Sequence, residues 1–75
     1  MQANDRLTKQ MDAYKRLLRV HSLSKGDLVA PQFLYANCGV YSEYQARSFC
    51  TALEKAKWTH YIKDSDAFEV LRDRY

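Results

Sequence analysis

A short apolar run, Pro31 to Cys38, ends at Gly39, and after Val40 and Tyr41 a new amphipathic segment opens at Ser42. No other stretch narrows the possible folds as much. Proline suits the first turn of a helix, where its missing N–H is not needed. A glycine just past the last turn supplies the left-handed cap that ends a helix. Ser42-x-x-Gln45 reads as a capping box, in which side chains satisfy N–H groups that a helix start leaves unpaired. Together these signals predict two helices around a tight turn, the second running to about Lys57. Phe33, Leu34 and Cys38 (or Asn37) should face inward from the first, and Ala46, Phe49, Cys50 and Leu53 from the second.

Upstream, Leu7, Met11, Tyr14, Leu18 and His21 recur at steps of four and three, the stripe of an amphipathic helix. Leu17 widens it. The pattern predicts a helix from about Asn4 to Ser22, with Asn4 or Asp5 as its cap and Gly26 beyond its end. Downstream, Trp58-Thr59-His60-Tyr61-Ile62 is aromatic and β-prone, Lys63-Asp64-Ser65-Asp66 is rich in turn formers, and Phe68-Glu69-Val70 can pair back. A fourth helix competes, because Asp66-x-x-Glu69 is another capping box and Phe68, Leu71 and Tyr75 share a helical face. The pattern favours the hairpin. The expected fold is therefore mainly α, three helices with a C-terminal β-hairpin, and the alternative is a four-helix all-α domain.

Seventy-five residues make one small domain. Chains of this size bury only about 60% of their unfolded surface, so a self-made substrate cavity is not expected. The net charge of +3 is unevenly placed: residues 1–25 hold six Lys/Arg against two acids, residues 26–50 come to −1, and residues 51–75 balance. A local basic segment suits phosphate contact. A solvated helix face accounts for most of it as well, since Asp5 with Lys9 and Asp12 with Arg16 have the acid-first, four-residue spacing that supports a helix. Two cysteines, Cys38 and Cys50, make no disulfide framework, and no apolar run suggests a signal peptide or a membrane span. The chain reads as a reduced, cytoplasmic protein with no membrane partner, a monomer or homodimer. A Cys38–Cys50 bridge stays open, although buried free thiols are the commoner outcome.

Catalysis has no defensible constellation. Cys50 and His60 are formally a nucleophile and base, but Cys50 falls on an inward face, where an inert thiol is expected. His21, His60, Cys38 and Cys50 lack zinc spacing. Asp64-Ser65-Asp66 lacks the further acids and the glycine of a calcium loop. No metal or other cofactor is expected, and the protein is read as a non-enzyme.

The segment from Ser42 offers more. Its outward face holds Tyr44, Arg47, Ser48, Thr51 and Lys55, all hydrogen-bond donors with no acid among them. Arg47 can donate twice to a guanine edge, and Ser48 and Thr51 can meet bases or phosphates. Lys55 and Lys63 suit the DNA backbone, while Glu43 at the helix start opposes it. The helices around Gly39-Val40 and the strands that follow resemble the helix-turn-helix superfamily, its winged-helix branch in particular, over about residues 28–71. Ala46 and Phe49 fill the apolar slots of that pattern if the turn is one residue longer. The resemblance implies a small regulator, acting in transcription regulation, that binds duplex DNA through the helix 42–57. The implied contacts are Tyr44, Arg47, Ser48 and Thr51 in the major groove, with Lys55 and Lys63 on the backbone. The rival uses nearly the same residues: Tyr35, Tyr41, Tyr44 and Arg47 form an aromatic and arginine patch of the kind that docks a protein partner. An adaptor or inhibitor is then the alternative function.

Overall fold

The computed structural model describes residues 3–73, in the order α1 (Ala3–Val20), β1 (Leu28–Val29), α2 (Pro31–Cys38), α3 (Glu43–Lys55), β2 (Thr59–Ile62) and β3 (Ala67–Val70). Three helices pack on one face of a small antiparallel sheet. The α1 stripe forms as its spacing requires, with Tyr14, Leu17 and Leu18 buried and Leu7 and Met11 half-buried against the core. The helix already contains Asn4 and Asp5, so neither caps it. It stops two residues sooner than expected because Ser22 turns left-handed at φ 53°. Leu23 N–H then donates to Leu18 O at 2.9 Å and Ser22 N–H to Arg19 O at 3.2 Å, a Schellman closure made without glycine. His21 consequently leaves the stripe. It is exposed, and its ring meets Phe33 edge-on at 5.0 Å. On the outer side Asp12 reaches Lys15 at 3.9 Å.

Helix α2 begins at Pro31 and ends where Gly39 adopts φ 72°, ψ 35°. Eight residues leave room for one inward row, and it is Leu34 and Cys38, four apart. Phe33 was expected inward but is 39% exposed, one step round the helix from that row. Asn37 is exposed too, its Nδ2 donating to Phe33 O at 2.8 Å. Helix α3 buries Phe49 and Leu53 completely, each contributing about 2 kcal/mol by removal from water. It ends at Lys55, and Lys57 turns left-handed at φ 62°.

The C-terminal segment is a hairpin, and the four-helix alternative does not form. Thr59 pairs with Val70, His60 with Glu69, Tyr61 with Phe68 and Ile62 with Ala67. Asp66 caps no helix: at φ 47° it closes the four-residue turn of the hairpin. Tyr75, one of the residues on the competing helical face, lies outside the described residues. A strand that the sequence did not disclose decides the matter. Leu28 and Val29 pair with Glu69 and Phe68, which makes β3 the central strand of three. Gly26 N–H donates to Val70 O at 2.8 Å and Val70 N–H to Asp27 O at 2.9 Å, extending that pairing. With ladder bonds on both edges and Ala67, Phe68 and Val70 buried, β3 gains more as a strand than as an isolated helical turn. Trp58, buried before β2, meets Tyr14 edge-on at 6.1 Å. Arg72 lies 3.8 Å over its ring and donates to Ala56 O at 3.1 Å, tying the chain end to the end of α3.

Candidate functional site

The turn between α2 and α3 is held by polar contacts from α1, from α3 and from its own Ser42. Ser42 Oγ accepts from Gln45 N–H at 3.1 Å, the first half of the expected capping box. The second half reaches one residue further back, with Gln45 Oε1 accepting from Tyr41 N–H at 3.0 Å. Gln10 of α1, only 4% exposed, donates Nε2 to Gly39 O at 3.1 Å and lies 3.4 Å from Gln45 Oε1. This residue ties α1 to the turn and to the first turn of α3, and the sequence reading passed over it. A signal existed: Gln10 falls three after Leu7 and four before Tyr14, a polar side chain on an apolar stripe.

With Val40 buried beneath the turn, the residues after it project outward. Tyr41 is 84% and Tyr44 68% exposed, and Arg47, Thr51 and Lys55 are exposed along the same side of α3. Ser48 is half-buried because its side of α3 meets α1, where Leu7 shares a shallow hollow with Arg47, Ser48, Thr51 and Lys55. The outer face is not free of acid, as the sequence reading had it. Glu43 lies one turn before Arg47 and pairs with it at 3.6 Å. Both side chains are solvent-exposed, so the pair is worth about 0.3–0.5 kcal/mol and yields readily to a competing anion. Lys63 sits in the hairpin turn with Asp64 and Asp66, where acids outnumber it. The structure therefore gathers Tyr44, Arg47, Ser48, Thr51 and Lys55 on α3 and places Lys63 on a different element.

Two larger hollows flank the N-terminal end of α3. On the α1 side, one of about 630 Å³ is bordered by Arg6, Lys9 and Arg16 from α1, with Asp5 the single acid, and by Tyr41 and Asn37 across from them. On the hairpin side, an open groove of about 650 Å³ is bordered by Tyr35, Tyr61 and Phe68, by Cys50, and by Glu43, Arg47 and Asp66. Tyr41 borders both, standing between them. Tyr35 is half-buried in the hairpin-side groove, its hydroxyl 3.4 Å from Cys50 Sγ, and so stands apart from the exposed rings of Tyr41 and Tyr44. Burial pushes the Tyr35 hydroxyl up, with Cys50 next to it adding to the shift.

Neither cysteine is bridged. Cys38 is buried, and its thiol is pushed up to about 12 by loss of water, with nearby Arg16 opposing the shift. Cys50 was expected to be buried, but the gap between α3 and the hairpin leaves it half-exposed at the groove. Its thiol is also raised, by burial, while the hydrogen bond with Tyr35 opposes the rise. Neither thiol has the depressed pKa of a nucleophile. His60 lies 3.7 Å from Glu54, on the exposed side of β2. Among the described residues no three His, Cys, Asp or Glu side chains gather closely enough to hold a metal ion, and no helix is long and apolar enough to cross a membrane. Comparison with protein-family models, with curated proteins and with solved structures finds no match to this chain.

Proposed function

We propose that this protein is a non-enzymatic regulator that binds duplex DNA with the outer face of α3 in the major groove. Tyr44, Arg47 and Thr51 read base edges in this account. Ser48 and Lys55 meet the backbone on the α1 side, and Lys63 contributes weakly from the hairpin turn. One observation carries the reading: α3 projects from a turn locked by Gln10 and Gln45, beside the cationic border of Arg6, Lys9 and Arg16. A rigid donor-bearing helix beside a local basic strip has the two parts such binding needs, specificity from base edges and affinity from phosphates. The resemblance to winged-helix domains, three helices followed by a hairpin, supports the same docking. Fluorescence anisotropy of a labelled non-specific duplex, at low and then moderate salt, tests it. Binding should weaken steeply with salt, each phosphate contact adding about 0.9 to the log–log slope. No binding at low salt and micromolar protein would end the reading.

A second reading rests on its own observation. Tyr41 and Tyr44 expose two large rings next to Arg47, the residue types that anchor protein interfaces. An adaptor that docks a protein through this knuckle would keep its partner after nuclease treatment. It would lose that partner on Tyr41→Ala or Tyr44→Ala, both at positions too exposed to disturb the core. Tyr35, half-buried and bonded to Cys50, would then support the knuckle from behind.

A further inference from the structure

The hairpin-side groove combines features that the DNA reading does not use. Two tyrosine rings line it, packed over the buried Phe68: Tyr61 at 5.1 Å with the planes 54° apart, and Tyr35 at 6.3 Å and 67°. The two tyrosine rings, each tilted steeply on the Phe68 ring beneath them, give the groove an aromatic wall. Such surfaces attract organic cations through the negative faces of the rings. A carboxylate completes it. Tyr61 donates its hydroxyl to Asp66 Oδ1 at 2.6 Å, which draws the acid onto the rings, and a carboxylate accepts through two oxygens.

The charge around the groove is opposite in sign to the chain as a whole. Glu43 and Asp66 border it, and Glu54 lies behind β2 with Oε2 accepting from Tyr61 N–H at 3.2 Å. Among the described residues the one bordering cation is Arg47, which is paired with Glu43 at 3.6 Å. This excess of acid sits on a protein of net charge +3. The groove volume, about 650 Å³, lies in the range of small-molecule sites. We propose that the groove between α2, α3 and the hairpin binds a small amphiphilic organic cation, an ammonium carried on an aromatic or alkyl stem. The stem lies against the rings of Tyr35 and Tyr61, above the buried Phe68, and the ammonium faces Asp66. The site does not rest on the DNA reading, but it shares Arg47 with the face that would read bases, so the two ligands would compete for that side chain.

The probe is phenethylammonium, with phenethyl alcohol and phenylacetate as neutral and anionic matches of the same stem. Titration of the isotope-labelled full chain, followed by amide NMR, should give saturable shifts centred on Tyr35, Cys50, Tyr61 and Phe68. The alcohol and the carboxylate should bind at least about threefold more weakly. Two variants then move affinity in opposite directions. Asp66→Asn keeps a residue that tolerates the left-handed turn and an acceptor for Tyr61, and should weaken the cation about threefold. Arg47→Gln removes the like charge and releases Glu43, and should strengthen it by about twofold. Shifts outside the groove, equal binding of the alcohol, or changes of the same sign in both variants would overturn the proposal. So would binding of an acetylated phenylalanyl-arginine amide without binding of phenethylammonium, which would make the groove a peptide-docking surface instead.

Discussion

The two sides of α3 are built from different materials. The α1 side is polar and cationic: a buried glutamine holds the turn, and Arg6, Lys9 and Arg16 border the hollow. The hairpin side is aromatic and acidic, with Tyr35, Tyr61 and Phe68 against one another and Glu43 and Asp66 at the rim. A net charge of +3 over seventy-five residues would suggest a weakly basic surface throughout. The fold instead sorts charge by side, so the field that a ligand meets depends on its direction of approach. The position of α3 is also determined twice, by Gln10 at the turn on one side and, on the other, by Tyr35 OH at Cys50 Sγ and Tyr61 N–H at Glu54.

That division of labour is most easily broken from the hairpin side. Phe68 is almost fully buried on the central strand, beneath both tyrosines and opposite Val29. Phe68→Ala should cost about 3–5 kcal/mol, the usual loss for a large side chain removed from a core. Because small domains have little stability to lose, urea unfolding should show most of the cooperative transition gone. A loss below 1 kcal/mol would mean that the hairpin is not integral to the core.

The α1 side should give a smaller effect of a different kind. Gln10→Leu keeps the volume and helix propensity of the side chain but withdraws the bond to Gly39 O. The expected cost is about 1–3 kcal/mol, since a buried acceptor loses its partner. Amide exchange should quicken locally at Val40 and Tyr41, because the contact that holds the turn is gone. Unchanged stability and unchanged exchange would show that the turn holds itself and that only the aromatic side orients α3.

Alkaline pH probes both sides together. Cys38 and Tyr14 lie in the core beneath α1, and Tyr35 stands on the hairpin side. Burial raises all three, Cys38 from an ordinary 9.0 to about 12 and the tyrosines above their usual 10.0. Tyr14 OH, moreover, finds no hydrogen-bond partner among the described residues. With the folded-state values raised, the unfolded chain releases these protons first. The stability contribution is therefore complete below about pH 9 and falls as pH climbs toward 12, by up to about 1.4 kcal/mol per pH unit for the buried Cys38 and Tyr14 and by less for the half-buried, water-screened Tyr35. Thermal melts from pH 8 upward should show Tm falling above pH 9 in the wild type, and less steeply in Cys38→Ala measured against its own pH 8 value.

What the sequence disclosed follows the range of the interaction concerned. The helices, the left-handed Gly39 and the Ser42 cap depend on neighbours within four residues, and all were legible. Strand β1 was not, because Leu28 and Val29 form a strand only through β3, some forty residues away. Gln10 was overlooked for a similar reason, its partner being 29 residues distant. Glu43 is the instructive case, since its position four before Arg47 was readable and sufficed to place an acid on the outer face of α3. The half-exposure of Cys50 was not readable in that way. A helical wheel puts Cys50 toward the core, and only the standoff of the hairpin from α3 opens the groove beside it.

The finest test of the comparison leaves the fold untouched and edits the charges alone. Arg6 and Lys9 are exposed on α1, and Glu43 is exposed on α3, so substituting any of them should change stability by no more than about 0.5 kcal/mol. Their effects on DNA should differ in sign. Arg6→Gln with Lys9→Gln removes two candidate phosphate contacts and should lower the salt slope by about 1.8, weakening binding to all sequences alike. Glu43→Gln removes a repelling charge and releases Arg47 from its 3.6 Å pair, and should strengthen binding by a few fold without lowering the slope. Anisotropy titrations over a range of salt read both quantities from the same curves. If the double variant leaves the slope unchanged, the cations of α1 are only a solvated helix face and the α1 side is not where DNA lies. If Glu43→Gln weakens binding, the Glu43–Arg47 pair positions the arginine rather than restraining it, and the acid belongs to the reading face itself.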